Sequence, residues 1–284
     1  MFSIAPIILI SNYQWQILLK KQKINVTYLY SLKNIFIGYF YGFISPGGYG
    51  AYARVFYLKK ESQASLQKCF SNVILFNTID YISLLILGIF GSIILLNRSP
   101  DLLNFLITMI IILIIIIIIL LIFMKKELSK KILTKILVLK PIKLFLDYNK
   151  INNSIELFYE DLPNLSHLRI LFILSIGGLL LQFFELFLIS KLFSININFM
   201  YFIAIISIAN IIASIPITLY GLGTWEIALI SLFSIFNIFP EKIVSLSLFW
   251  FLIIWLIPSI FGGIITIQEG YYKDIKGRRL FSDK

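Results

Sequence analysis

The chain holds one cysteine and one histidine among its 284 residues, and only 14 acidic residues. A lone Cys69 excludes an internal disulfide, and with His167 as the sole histidine no Cys/His metal centre is expected. There is no Gly-x4-Gly-Lys phosphate loop, no Ser/His/Asp or Cys/His set, and no paired aspartates of the kind that hold a nucleotide-sugar metal. The acids outside the apolar stretches, Glu127, Asp147, Glu156, Glu160 and Asp161, are scattered among lysines and read as solvated. An enzyme, a bound cofactor and a metal are therefore not expected. Charge is scarce as well: 14% of residues are charged, where soluble proteins average about 25%. A soluble globular domain does not fit that composition.

What is abundant is apolar. Hydrophobic residues make up 59% of the chain, with 26 Phe and 15 Tyr, and the mean hydropathy is +0.93. This predicts an all-α polytopic membrane protein, one integral domain over 1–284 with no separate soluble domain. The net charge of +11 is then a topology signal rather than a nucleic-acid signal.

Leu102 to Met124, Ile170 to Ile189 and Ile243 to Ile267 are each long and apolar enough to cross a hydrocarbon core of about 30 Å. Phe70 to Leu96 is a fourth, carrying the single ionisable residue Asp80. Basic clusters at Lys20 to Lys23, Lys59 to Lys68, Lys125 to Lys150 and Lys273 to Arg279 are placed in the cytoplasm by the positive-inside rule. Segments 97–101, 191–198 and 237–242, with few basic residues, fall outside, and the C-terminus is cytoplasmic in a bacterial-type inner membrane. Phe2 to Ser11 is too short to span and carries no cleavage pattern of a leader.

Two stretches must begin and end on one side. Tyr28 to Ile44 is interrupted by Ser45-Pro46-Gly47-Gly48-Tyr49-Gly50, and Ala51 to Leu58, rising about 12 Å as a helix, cannot span. It reads as a re-entrant hairpin from the cytoplasmic side. Phe199 to Ser214, broken at 216–223 and resumed from Trp225 to Phe236, is its counterpart from outside, either re-entrant or as two full helices. The breaks share a Gly-x-Gly-small-aromatic pattern, Gly48 to Tyr52 and Gly221 to Trp225, each preceded by a proline. Opposed broken helices are the mark of an inverted repeat whose helix ends meet a substrate near the midplane. The repeat halves would be 1–124 and 169–272, joined by a cytoplasmic loop 125–168. In all, about six to eight membrane segments are expected. Within Lys125 to Lys150, Leu128, Ile132, Leu133, Ile136 and Leu139 share one helical face, which predicts either a helix lying on the anionic inner leaflet or a solvated basic loop.

Charges inside spans cost about 2.5 to 3.5 kcal/mol each, so those retained are the site candidates. Arg54, four residues past the first break, can hold a phosphate bidentately, or snorkel to headgroups. Glu226, in the first turn after the second break, can bind a cationic headgroup, relay a proton, pair with Arg54, or only cap its helix. Asp80 can pair with Arg54 or Lys33, and Glu185 can reach Lys191. Gly47, Gly48, Gly50, Gly221 and Gly223 leave backbone amides uncovered, which suits an anionic headgroup.

At these breaks the sequence resembles the lysylphosphatidylglycerol synthase membrane region, a flippase-like family of polytopic proteins. The residues carrying the resemblance are Pro46-Gly47 through Arg54, then Pro216 with Gly221-Leu222-Gly223 and Glu226, and Asp80 in the helix after the first motif. It extends over nearly the whole chain. The resemblance implies translocation of phospholipid or polyprenyl-linked lipid, or else a non-catalytic subunit serving a glycosyltransferase or lipid-modifying enzyme. The pattern is departed from at Ala51 (usually acidic), at Asn77 and Gln14 (arginines), and in 243–267, which lacks an arginine. Most of the first span and the aminoacylating module also appear only in relatives, so the chain is not expected to make lysyl lipid itself.

Overall fold

The structure, a computed structural model, describes residues 4–125, 127, 148–218 and 221–282. Among them every regular element is helical and there is no β-strand. In chain order the elements are α1 (Ile4–Lys21), α2 (Tyr28–Phe43), a 3-10 turn (Tyr49–Ala53), α3 (Arg54–Ser62), α4 (Leu66–Leu95) and α5 (Leu102–Met124). There follow α6 (Tyr148–Tyr159), α7 (Leu165–Leu192), α8 (Phe199–Ala213), α9 (Thr224–Ser234), α10 (Pro240–Phe251), a π-helical turn (Leu252–Leu256) and α11 (Ile257–Ser282). Helix starts follow local chemistry. Thr27 Oγ1 accepts the Tyr30 N–H, Ser65 Oγ the Lys68 N–H, and Asn198 Oδ1 the Met200 N–H, each supplying a partner for an amide left open at a helix start.

Four helical stretches are long and apolar enough to cross a membrane: 66–95, 102–122, 166–192 and 240–269. These are the four long spans expected, and the fold is that of a multi-pass membrane protein. The arms of the two hairpins settle the alternative left open for the second: α8 has 15 residues and α9 has 11, rising about 22 and 16 Å, both short of a ~30 Å core.

Two expectations are corrected. The apolar N-terminal stretch does not stop at Ser11. The helix runs to Lys21, about 27 Å, because Asn12, Gln14 and Gln16 turn inward and are buried. Their amides are hydrogen-bonded: Ser31 Oγ donates to Asn12 Oδ1 at 2.7 Å, Gln14 Nε2 to Asp80 Oδ1 at 3.0 Å, and Gln16 Nε2 to Ser31 Oγ at 2.8 Å. Hydropathy scores such residues as breaks, whereas inside a bundle they join helices. The charge-free stretch 243–267 is likewise not a uniform α-helix. Pro258 has no N–H to give the Ile254 carbonyl, and just before it the Ile257 N–H donates five residues back to Leu252. The amphipathic segment expected over Lys125 to Lys150 lies almost wholly outside the described residues.

The two hairpins pack in corresponding ways on the long spans. The first arm of one, α2, lies along α11; the first arm of the other, α8, lies along α4. Both contacts run through glycine. A Cβ on Gly262 would collide with the Phe36 carbonyl oxygen of α2, and a Cβ on Gly91 would sit 2.7 Å from the Ala204 Cα of α8. Close backbone approach through small residues is what holds helices together where lipid is as apolar as leucine.

At the end of the bundle where α1, α4 and the 160–164 loop meet, Asp161 accepts from Lys23 Nζ at 2.6 Å and from Lys68 Nζ at 2.8 Å. Those hydrogen bonds, Lys23's first, hold its carboxyl below the ordinary range. The resulting stability is complete above the unfolded-chain pKa of about 3.9 and is lost as pH falls through the lowered folded-state value. Asp161→Asn is therefore expected to melt below wild type at neutral pH, the gap closing in acid; a gap independent of pH would contradict the cluster.

Candidate functional site

The two breaks touch. The Gly47 N–H donates to the Thr218 carbonyl at 3.1 Å, and Gly47, with φ near 58°, lies so close to Pro216 that a Cβ there would be 2.8 Å from the proline Cβ. Around this junction lies a cavity of about 910 Å³, within the range of roughly 300–1,000 Å³ that holds small ligands. Tyr49 and Leu222, one from each break, both line it.

The lining is divided. On α4, α7 and α8 it offers Asn77, Thr78, Gln182 and Asn210, while α5 offers Ile112, Ile116, Ile119 and Leu120. Tyr81 and Ser214, at hydroxyl distance of 3.3 Å, tie α4 to the end of α8 at its edge. The π-helical turn brings Trp255 to the same wall, beside Trp250 and Phe251. Such turns recur at functional sites because they re-aim side chains within an otherwise regular helix.

Glu226 is the one acidic or basic side chain in the described lining. Its Oε2 accepts the Gly223 N–H at 2.6 Å, so capping is part of its role, while Oε1 is buried without a hydrogen-bond partner. The neighbouring Trp225 Nε1 is in the same condition and lines the same cavity. A buried acceptor and a buried donor left open side by side are groups that a ligand can satisfy.

Two other charged candidates, Arg54 and Asp80, are not part of the lining. Arg54 is 5% exposed; its guanidinium sits 4.9 Å from the Trp15 ring centre and 5.0 Å from that of Phe76, and Nη2 donates to Asn77 Oδ1 at 2.7 Å. It therefore holds a wall residue, whereas the sequence offered either a bidentate grip on phosphate or snorkelling to headgroups. Asp80 accepts from Ser175 Oγ at 2.7 Å and Gln14 Nε2 at 3.0 Å, and it feels the Arg54 charge. Lys33 is not among its hydrogen-bond partners. Two departures from the family pattern thus fall on this network: Gln14 serves Asp80, and Asn77 serves Arg54.

The glycines of the two breaks fall into two groups. Gly48 and Gly221 line the cavity, each with positive φ; Gly50 and Gly223 do not line it. Four of the five amides expected to face a headgroup have partners within the protein: Gly47 donates to Thr218 O, Gly48 to Ser45 O, Gly50 to Ser45 Oγ and Gly223 to Glu226. A Cβ on Gly50 would collide with the Tyr41 carbonyl, so that residue closes the turn. Glu185, with Oε2 buried and unpartnered on α7, is outside the cavity lining.

Gln182 and Asn210 carry no charge, so the cost rule that picks out Arg54 and Glu226 passes over them, and Trp225 reads in the sequence as an interface or packing tryptophan. The available signal was a lone amide in an apolar helix, Leu-Gln-Phe at 181–183 and Ala-Asn-Ile at 209–211.

No curated protein and no solved structure gives a significant match to this chain. The sequence profile described as lysylphosphatidylglycerol synthase TM region matches residues 1–262, the stretch that holds both breaks, Arg54, Asp80 and Glu226. On that match, which runs from the start of the chain into the first turns of α11, the chain belongs to the lysylphosphatidylglycerol synthase TM region family.

Proposed function

We propose that this protein moves a membrane lipid between leaflets, its headgroup crossing through the cavity at the joined breaks while its acyl tails stay in apolar surroundings. The observation that carries the reading is the cavity itself: two glycine breaks, from hairpins far apart in sequence, wall one amphipathic space that contains the open Oε1 of Glu226. Irregular backbone at membrane depth is tolerated only where it is buried in protein or lines a cavity. The corresponding packing of α2 on α11 and of α8 on α4 supports an inverted repeat of 1–124 and 169–272. In this reading the protein sits in an inner membrane with its C-terminus cytoplasmic, works without covalent chemistry, and its basic 125–150 segment rests on anionic lipid.

Leaflet exchange in liposomes tests the proposal, with headgroup-labelled phospholipid and polyprenyl-linked lipid as the probes. Exchange above that of protein-free vesicles is expected for at least one class. Glu226→Gln, which keeps the shape but not the charge, is expected to slow it several-fold, and Glu185→Gln to leave it unchanged. Exchange no faster than in empty vesicles for every lipid tried removes transport as the function.

A further inference from the structure

The cavity is walled by α5 and by α7, yet these two helices are not packed together to any extent. Among the described elements α5 packs extensively on α4 alone, whereas α7 packs on α1, α4 and α8. The fully buried part of α5 is its first half, Leu106 and Met109; beyond Met109 the described side chains are at most partly buried, with Ile112, Ile116, Leu120 and Met124 packed on the core from one face. Even so, Ile112, Ile116, Ile119 and Leu120, at helical spacings of four, seven and eight, point one stripe at the cavity. Ile119 lines the cavity and is still 54% exposed, so the cavity opens to the outside of the bundle along this stripe. Across the gap the α7 lining is Leu179 and Gln182.

From this geometry we infer that the seam between α5 and α7 is an acyl-chain portal. A lipid whose headgroup occupies the polar side, near Asn77, Asn210 and Glu226, has tails covalently tied to it that must leave the cavity. Among the described residues, α5 offers them an apolar stripe that runs from the cavity to the outer surface of the bundle. A fatty-acyl chain lying along Ile112, Ile116 and Ile119 meets hydrocarbon on every side and leaves no polar group unsatisfied. The second half of α5 is held only through partly buried side chains, so the seam can widen without breaking the Leu106–Met109 anchor on α4. The portal rests on the translocation reading above, but it makes a claim about binding that holds apart from transport.

The test uses the full chain in vesicles containing a phospholipid with a photoactivatable diazirine near the end of one acyl chain, with adducts mapped by mass spectrometry. Adducts are expected on Ile112, Ile116 and Leu179 in addition to the outward-facing Ile114 and Ile118. Filling the seam with Ile116→Trp is expected to abolish the Leu179 adduct and leave that on Ile114 unchanged, at an unaltered melting midpoint. Wild-type adducts confined to Ile114 and Ile118 overturn the portal whether or not the variant folds. Leaflet exchange measured on the same vesicles separates the two claims. Seam adducts without exchange uphold the acyl site and remove transport; exchange without seam adducts removes the portal and leaves transport standing.

Discussion

Gly262→Ala is expected to lower the melting midpoint of the detergent-solubilised protein by roughly 6–12 °C, corresponding to about 3 kcal/mol at a few degrees per kcal/mol for a chain of this size. The added methyl collides with the Phe36 carbonyl oxygen and lies 3.0 Å from the Phe40 Cβ. A backbone carbonyl cannot rotate away as a side chain would, so α2 and α11 must move apart. That places the cost at the upper end of the ~1–3 kcal/mol range typical of overpacking. Separation of α2 also pulls on the Gly47 to Thr218 hydrogen bond, so the same variant is expected to lose leaflet exchange. Gly177→Ala is the control, since nothing lies within 4 Å of its Cβ position. Alanine is the better helix former by about 1 kcal/mol, so that variant should melt at or above wild type. If both variants melt alike, helix propensity and not backbone approach governs these glycines.

Arg54→Ala is expected to cost about 3 kcal/mol and to slow exchange at the same time, read by thermal melting and by the liposome assay. The side chain fills the space between Trp15 and Phe76 and donates to Asn77 at 2.7 Å. Its removal loses two partly desolvated cation–π contacts of about 0.5–2 kcal/mol each, leaves Asn77 Oδ1 short of a donor, and opens a void. Since Asn77 lines the cavity, its displacement reaches the lipid path even though Arg54 does not. Arg54→Lys should recover only part of the loss: the ammonium keeps the charge but not the flat face that stacks on two rings. A direct phosphate grip predicts the opposite separation, with melting unchanged and exchange alone impaired. Normal melting in Arg54→Ala would therefore restore the phosphate role expected from the sequence.

Much of the architecture was legible because membrane insertion depends on composition. A charge-free run such as Leu102 to Met124 has one place to go, and Pro-Gly clusters at 46–50 and 216–223 cannot continue a helix across it. Glu226 was legible too, since an acid one turn past a glycine break suits a helix start. The extent of α1 was not: Asn12, Gln14 and Gln16 look like an end to the apolar stretch until their partners on other helices are known. Arg54 and Asp80 were found as costly charges, but their roles were not, because those depend on Trp15, Asn77, Gln14 and Ser175, which no spacing rule brings together.

What the sequence alone determined is which segments are apolar, where they break and where their positive charges cluster, all properties of single residues or of short windows. Tertiary structure alone decided that the two breaks touch, that Arg54 backs the wall while Glu226 stands on it, and that α5 borders the cavity without closing it. Those outcomes turn on how closely two helices can approach, and that is governed by pairs such as Gly262 with Phe36 and Gly91 with Ala204, whose members are remote in the chain and meet only after packing.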